Sequence, residues 1–312
     1  MELICGIQNL QPQHRGCVAT IGNFDGVHLG HQAVIGQLAE KASELKLPAV
    51  VILFEPQPQE FFRPTAAPGR LMRLRDKLMV LRRYSVDRVF CLRFDARLAL
   101  MTAEDFISEI LVKGLGIRYL VVGDDFRFGA KRDGNFALLQ DAGRRKGFTV
   151  APMHTFSIDG ARVSSTRIRE ALAIGDMAGA ERLLGRNFRM AGRVAHGDKR
   201  GRTIGMPTAN IHLHRKTTPL RGVFVVEMFG PEGEPLPGVA NIGTRPTVDG
   251  TRTLLEVHLF DFNRDIYGCH VSVEFLHKLR DEQRFASFDE LKARIYRDAD
   301  EARAWFENRA RQ

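Results

Sequence analysis

Cysteine is sparse and scattered in this chain. Cys5, Cys17, Cys91 and Cys269 are the only four in 312 residues, and no two form a CxxC pair. That spacing excludes a disulfide framework and a zinc site built on cysteine. No run of residues approaches the roughly 20 consecutive apolar positions that a membrane helix needs. The opening "MELICGIQNL" carries Glu2 and no basic leader, so it does not read as a signal peptide. A cytoplasmic protein without a membrane partner is therefore expected. Two nucleotide signatures are also missing. There is no GxxxxGK[ST] and no Gly-Lys dipeptide anywhere, which excludes a P-loop. No GxGxxG follows the first apolar strand, which disfavours a dinucleotide site of the Rossmann type. Internal repeats and low-complexity linkers are absent as well.

What is present is ordinary for a globular chain: 44% hydrophobic and 27% charged residues. A length of 312 residues favours two domains, each long enough to bury a core. The formal net charge of +9 invites a nucleic-acid reading. However, Lys and Arg are mixed with Asp and Glu rather than gathered in one block. Phosphate-bearing small substrates and a basic surface account for the charge without any specific nucleic acid. Composition does not set an oligomeric state.

Along the first half, apolar strands alternate with amphipathic helices. "CVATIGNF", "PAVVILF", "VDRVFCLRF" and "RYLVVG" read as strands. After the first of them, Val34, Ile35, Leu38, Ala42 and Leu45 fall on one helical face. "RLRDKLMVLRRY", "TAEDFISEILVKGL" with Thr102 as cap, and "NFALLQDAGRRKG" closed by Gly147 read as helices. This alternation predicts a Rossmann-like parallel sheet with helices on both faces. Near Leu184 the rhythm changes. "FRMAGRVAHG", "GVFVVEMFG", "LPGVANIG", "TLLEVHLF" and "HVSVEFL" are short strands split by Gly- and Pro-rich turns. They predict a small antiparallel barrel or sandwich, followed by a terminal helix capped by Ser287. The expected domains are 1–184 and 185–312.

"GNFDGVHLGHQAVI", residues 22–35, lies between the first strand and the first helix. Ligands of such sheets bind beyond the carboxyl ends of the strands. A helix N-terminus there offers free N–H groups and a positive dipole end to phosphate. Gly22 and Gly26 permit tight turns and close backbone approach. His28 and His31 share a helix face and can donate hydrogen bonds to a phosphate in transfer. An HxxH zinc site and a helix-capping histidine are the alternatives; zinc lacks a third ligand nearby.

"VSSTRIREAL", residues 163–172, sets Ser164, Ser165 and Thr166 at a helix start, with Arg167 and Arg169 behind. It reads as a second anion-binding helix terminus or as a plain cap. In "FEPQP", Phe54, Pro56 and Pro58 form a stiff loop at a strand end, where a phenylalanine serves the core as readily as a ligand. In the second half, "GRVAHGDKRGRTIGMPTANI" spaces Gly197, Gly201 and Gly205 among Lys199 and Arg202, ahead of Pro207. This reads as a flap able to close over phosphates. Thr208 and Asn210 supply oxygens suited to Mg2+. Along "TLLEVHLF", Leu255, Val257 and Leu259 face one way while Glu256 and His258 face the other. Glu256 could take a proton from a hydroxyl, and alternation alone equally allows a solvent-facing residue.

Residues 22–31 resemble the GxFDGxHxGH signature of the HxGH nucleotidyltransferases, which transfer an adenylyl group from ATP to a phosphate. Asp125, Phe126, Phe128 and Gly129 in "VGDDFRFGAKRDGN" are similar to the GxDFxFG signature of FMN adenylyltransferases, in which "FEPQP" also recurs. "GDKRGRTIGMPTANI", "GVANIGTRPTV", "LEVHLFDF…DIYG" and "LRDEQRF" resemble a riboflavin kinase module. From about residue 15 to 308 the motifs follow the order of the bacterial bifunctional riboflavin kinase/FMN adenylyltransferase family, the FAD synthetases. Val163 stands where isoleucine is usual, a change without chemical consequence. The resemblance implies ATP, riboflavin and FMN as substrates and Mg2+ as cofactor. It implies that Gly22, Asn23, Phe24, Asp25, Gly26, His28 and His31 serve ATP together with Ser164, Ser165, Thr166 and Arg169. Phe54, Pro56, Pro58, Asp125, Phe126, Phe128 and Gly129 would serve the FMN side. Gly197, Lys199, Gly201, Arg202, Gly205 and Pro207 would cover the kinase nucleotide, Thr208 and Asn210 the metal, with Glu256 as base. The order of the domains would then be the reverse of the order of the reactions.

Overall fold

The strand–helix alternation of the first half becomes a parallel sheet in the computed structural model, which describes residues 1–153, 156–196, 205–215, 217–247 and 250–311. Two compact units emerge, one of Met1–Pro68 with Met72–Ser164, the other of Gly69–Leu71 with Ser165–Gln312. The composition changes near Leu184, about one helical hairpin later than the edge between the units.

In the first unit the strands are β1 (Glu2–Cys5), β2 (Cys17–Ile21), β3 (Ala49–Glu55), β4 (Arg88–Arg93), β5 (Ile117–Gly123) and β6 (Thr149–Met153). They lie in the order β1-β4-β3-β2-β5-β6, every pair parallel. A parallel sheet covered on both faces buries successive side chains on opposite sides. Ala19, Ile21, Ile52 and Leu120 enter one core layer, under Phe106, Ile107 and Leu139. Val18, Val51, Leu53 and Val121 enter the other, under Val34, Ile35, Leu38 and Leu81. The helices are α1 (Leu29–Leu45), α2 (Pro58–Phe62), α3 (Leu74–Leu81), α4 (Ala96–Ala99), α5 (Ala103–Asp105) and α6 (Phe136–Lys146). Thr102 caps α5, its Oγ1 accepting from Asp105 N at 3.1 Å, and the chain continues as a π-helix over Phe106–Gly114. Gly147 closes α6 at φ 81°. The expected face of α1 holds except at Leu45, which is 39% exposed at the helix end. A small hairpin of β7 (Ser157–Ile158) and β8 (Ala161–Arg162) follows the sheet.

The second unit opens with α7 (Ser165–Ile174) and α8 (Met177–Leu184). Its strands are β9 (Phe188–Ala195), β10 (Ala209–His212), β11 (Gly222–Phe229), β12 (Pro235–Thr247), β13 (Gly250–Leu259) and β14 (His270–Arg280). They close into an antiparallel barrel in the order β10-β13-β12-β11-β14-β9. Helix α9 (Phe288–Ala310) starts at Ser287, whose Oγ accepts from Glu290 N at 3.2 Å. Ala299 and Ala302 of α9 cover Val223, Val225, Val239 and Phe260 outside the barrel. The parallel-sheet domain, the antiparallel barrel and the terminal helix are thus as the sequence predicts.

Asp298 of α9 is buried against two arginines. Its Oδ1 accepts from Arg280 Nε at 2.9 Å and Arg294 Nε at 2.8 Å, and its Oδ2 from Arg280 Nη2 at 2.7 Å. Removing one partner of a buried ionic cluster strands the remaining charges. Asp298→Ala should therefore cost about 3–5 kcal/mol in urea unfolding of the barrel. A loss below about 1 kcal/mol would mean the cluster behaves as a solvated surface pair.

Candidate active sites

After β4 the chain returns to the far side of β2 to form β5, so the direction of winding reverses between β2 and β5. Such a switch point leaves a crevice beyond the carboxyl ends of the two strands. The loop 22–28 leaves β2 there, and the loop 124–129 leaves β5.

The first of these loops is tied along its length. Gly22 N donates to Ile52 O of β3 at 3.1 Å, and Val27 N to Phe24 O at 3.2 Å. The Lys77 ammonium of α3 donates to Asn23 O. Asp25, 2% exposed, accepts from Met72 N through Oδ1 at 3.0 Å. Gln32 Nε2 donates to Val27 O at 2.9 Å. These ties hold Phe24 and Val27 at φ 46° and 41°, a left-handed region that bulky and β-branched side chains avoid. Strain of this kind persists only where surrounding contacts impose it. Among its contacts, then, the Asp25 carboxylate holds the loop.

His28 is the cap of α1. Its Nδ1 accepts from His31 N at 3.3 Å. An accepting Nδ1 carries no proton, so the neutral ring carries it on Nε2 and can donate from there. The His28 and His31 rings stack with centroids 3.6 Å apart, and Phe24 supports His31 at 4.9 Å. A Cβ on Gly30 would approach the His28 ring to 3.2 Å and Val163 O to 3.5 Å. Gly30 therefore lets the chain at Val163 pass close to the start of α1. The capping alternative for His28 holds, with Nδ1 as the capping acceptor. Among the described residues no group of three or more His, Cys, Asp or Glu could hold a metal ion.

In the loop after β5, Asp125 accepts from Arg162 Nη1 at 2.5 Å. That guanidinium bond holds the Asp125 carboxyl below the usual range. Phe126 and Phe128 stack at 5.5 Å, but Phe128 is buried against Phe106 and belongs to the core. Gly129 has φ 76°, and a Cβ there would meet Ala103 N at 2.7 Å. Phe54 meets Phe94 edge-on at 5.8 Å, and Phe61 and Phe62 gather on the same ring. The Glu55–Pro56 peptide is cis, and Pro58 occupies the first turn of α2. Ser164 and Ser165 are half-buried and Thr166 is exposed. Ser164 closes the first unit, whereas Ser165, Thr166 and Arg169 belong to the second. There Arg169 Nε donates to Gly69 O at 2.7 Å.

The barrel of the second unit has a cavity of about 490 Å3 lined by Val194, Thr208, Val257, Leu259, Arg264 and Tyr267 among others. Tyr267 stacks on His196 at 3.9 Å. Gly205 sits at φ 73°, and Pro207 lines the cavity. Pro207 O accepts from His258 Nδ1 at 2.9 Å, which fixes the start of β10 against β13. The flap residues Gly197, Lys199, Gly201 and Arg202 lie outside the described residues.

Glu256 is half-buried on the outward face of β13, opposite in direction to Val257 in the cavity wall. It pairs in register with Asn210 of β10 and with Asn241 of β12. Directly opposed residues share a face with Cβ atoms about 4.5–5.5 Å apart. Thr208 lies just before β10 and lines the cavity together with Val257. Asn210 stands opposite Glu256 in the register. The oxygens of Thr208 and Asn210 are hard donors of the type Mg2+ prefers, and Mg2+ commonly takes few protein ligands beside phosphate. The donor set fits.

Sequence reasoning missed Lys77, and it quoted motifs holding Asn241 and most of 262–267 without giving those residues a role. Lys77 did leave a signal, a charge on the apolar face marked by Leu74, Leu78 and Leu81.

A family model described as FAD synthetase matches residues 10–167, and one described as riboflavin kinase matches residues 184–306. The bifunctional riboflavin kinase/FMN adenylyltransferase of Escherichia coli (strain K12) is 56% identical over 307 residues, 98% of each chain. The protein of the same description from Haemophilus influenzae is 53% identical over 306 residues, 98% of this chain and 99% of that one. A crystal structure titled as a macrolide-efflux protein from Streptococcus pneumoniae superposes with a TM-score of 0.80 at 30% identity, covering 96% of this chain and 97% of that one. Among the described residues no helix is long and apolar enough to cross a membrane.

Proposed function

This chain belongs to the family of bifunctional riboflavin kinase/FMN adenylyltransferases, and on that premise we propose which residues carry each of its two transfers. The enzyme phosphorylates riboflavin with ATP to give FMN, and adenylylates FMN with a second ATP to give FAD and pyrophosphate. Residues 185–312 are assigned the first reaction and residues 1–184 the second. The observation that carries the assignment is the placement of the candidate catalytic residues. His28 and His31 lie in one compact unit, and Thr208, Asn210 and Glu256 in the other.

In the kinase reaction the Glu256 carboxylate takes the proton of the ribityl 5′-hydroxyl as its oxygen bonds to the γ-phosphorus and ADP leaves. Thr208 and Asn210 hold Mg2+, which when bound neutralises phosphate charge. The cavity beside Thr208 receives the nucleotide, and the glycine-spaced flap that includes Gly205 and Pro207 covers its phosphates. In the adenylyl transfer an FMN phosphate oxygen bonds to the α-phosphorus and pyrophosphate leaves. That oxygen is already anionic, so no strong base is required. Catalysis is positioning and stabilisation of charge, with His28 donating through Nε2 and His31 beside it. Ser164, Ser165, Thr166 and Arg169 are assigned to the ATP phosphates by their hydroxyl and guanidinium donors. Gly22 to Gly26 shape the loop that approaches ATP. Phe54, Pro56, Pro58, Phe126 and Asp125 are assigned to the flavin side, and Phe128 and Gly129 support them. We place both reactions in the cytoplasm, a reading supported by four free thiols, which a reducing compartment favours. The partners are small molecules rather than nucleic acid.

Incubation with riboflavin, ATP and Mg2+, followed by separation of the flavins, should yield both FMN and FAD. Added FMN should give FAD without riboflavin. FMN without FAD would sink the assignment of the first unit, and the absence of both products that of the second, since FAD arises from riboflavin only through FMN.

A further inference from the structure

We propose that Lys77 is a positioning residue for adenylyl transfer, setting the loop that presents His28. The side chain is 1% exposed, and its ammonium donates to Asn23 O. Burying a lysine is costly, and the place it occupies on α3 would suit leucine. Five residues earlier, Met72 N holds the Asp25 carboxylate. The segment 72–77 therefore grips the loop at two points, on either side of Phe24. Phe24 and Val27 stand at positive φ, so the loop relaxes unless it is held. What the loop leads into is His28, whose Nδ1 must meet His31 N for Nε2 to carry the donated proton. Lys77 itself acts through the Asn23 carbonyl. The inference rests on the assignment of adenylyl transfer to His28.

Lys77→Met keeps length and apolar volume and removes the bond. Misplacing reacting groups by a fraction of an ångström lowers the rate with little effect on ground-state binding. The variant should lose on the order of 10–100-fold in kcat for FAD formation, with KM for FMN and ATP near the parent values. Thermal stability should fall only slightly, since the substitution leaves a single buried carbonyl, Asn23 O, without this donor. Riboflavin phosphorylation by the same full-length chain should be unchanged. Lys77→Arg, which restores the donor, should recover much of kcat. Parental FAD formation by Lys77→Met would overturn the proposal. So would a joint fall of FAD formation, riboflavin phosphorylation and thermal stability, because that pattern is structural. His28→Asn measured in parallel separates the two levels. If it forms FAD at the parent rate, the loop assignment fails; if it does not and Lys77→Met does, only the role of Lys77 fails.

Discussion

Replacing His28 and His31 together with alanine should abolish FAD formation and leave FMN formation at the parent rate. Each lost donor to a developing phosphate charge costs on the order of 2–4 kcal/mol, or about 10²–10³-fold in rate. The geometry makes His28 the larger of the two. Its Nδ1 is committed to the cap of α1, so Nε2 is the position from which it donates. Alanine at 28 also removes the cap, worth about 1 kcal/mol of helix stability. His28→Asn separates these effects, because asparagine is a good N-cap without a ring nitrogen. It should retain the helix and still lose FAD formation. Riboflavin phosphorylation in the same sample reports on folding of the rest of the chain. FAD production at the parent rate by the double variant would remove the motif from the chemistry.

How much of this was legible follows the range of the interactions involved. Caps and helix closures at Thr102, Gly147 and Ser287 are local, and each was readable from a few neighbouring residues. The buried strands were readable because a parallel sheet covered on both faces demands continuous apolar runs. β1 was not, since only one of its four residues is buried and its pairing partner lies more than 80 positions away. β10 was hidden for a related reason, as "PTAN" reads as flap until β13 pairs with it. The motif of residues 22–31 announced its histidines, but the bracing by Lys77 depends on α3 meeting a loop 54 positions away. The sequence could likewise mark Asn210 and Glu256 separately. Only the register of β10 on β13 makes them neighbours, and the pairing of β12 with β13 adds Asn241 on the other side.

That register gives the second large effect. Glu256→Gln preserves shape and hydrogen-bonding capacity on the outward face of β13 while removing the carboxylate. Riboflavin phosphorylation should fall by roughly 10²–10⁴-fold, the usual contribution of a positioned general base. The substitution is nearly isosteric and half-exposed, so the barrel should unfold at the same urea concentration as the parent. Conversion of added FMN to FAD should continue unchanged, because His28 and His31 belong to the other compact unit. Asn210→Ala should also slow phosphorylation, but by a different route. It removes an oxygen assigned to Mg2+, so added Mg2+ should recover part of its rate and none of the Glu256→Gln deficit. The contrast matters because Glu256 and Asn210 stand directly opposite each other, and a shared metal role for both would make the two variants respond to Mg2+ alike. Recovery of Glu256→Gln by Mg2+ would assign the carboxylate to the metal, and an undiminished kinase rate would leave it a solvent-facing strand residue.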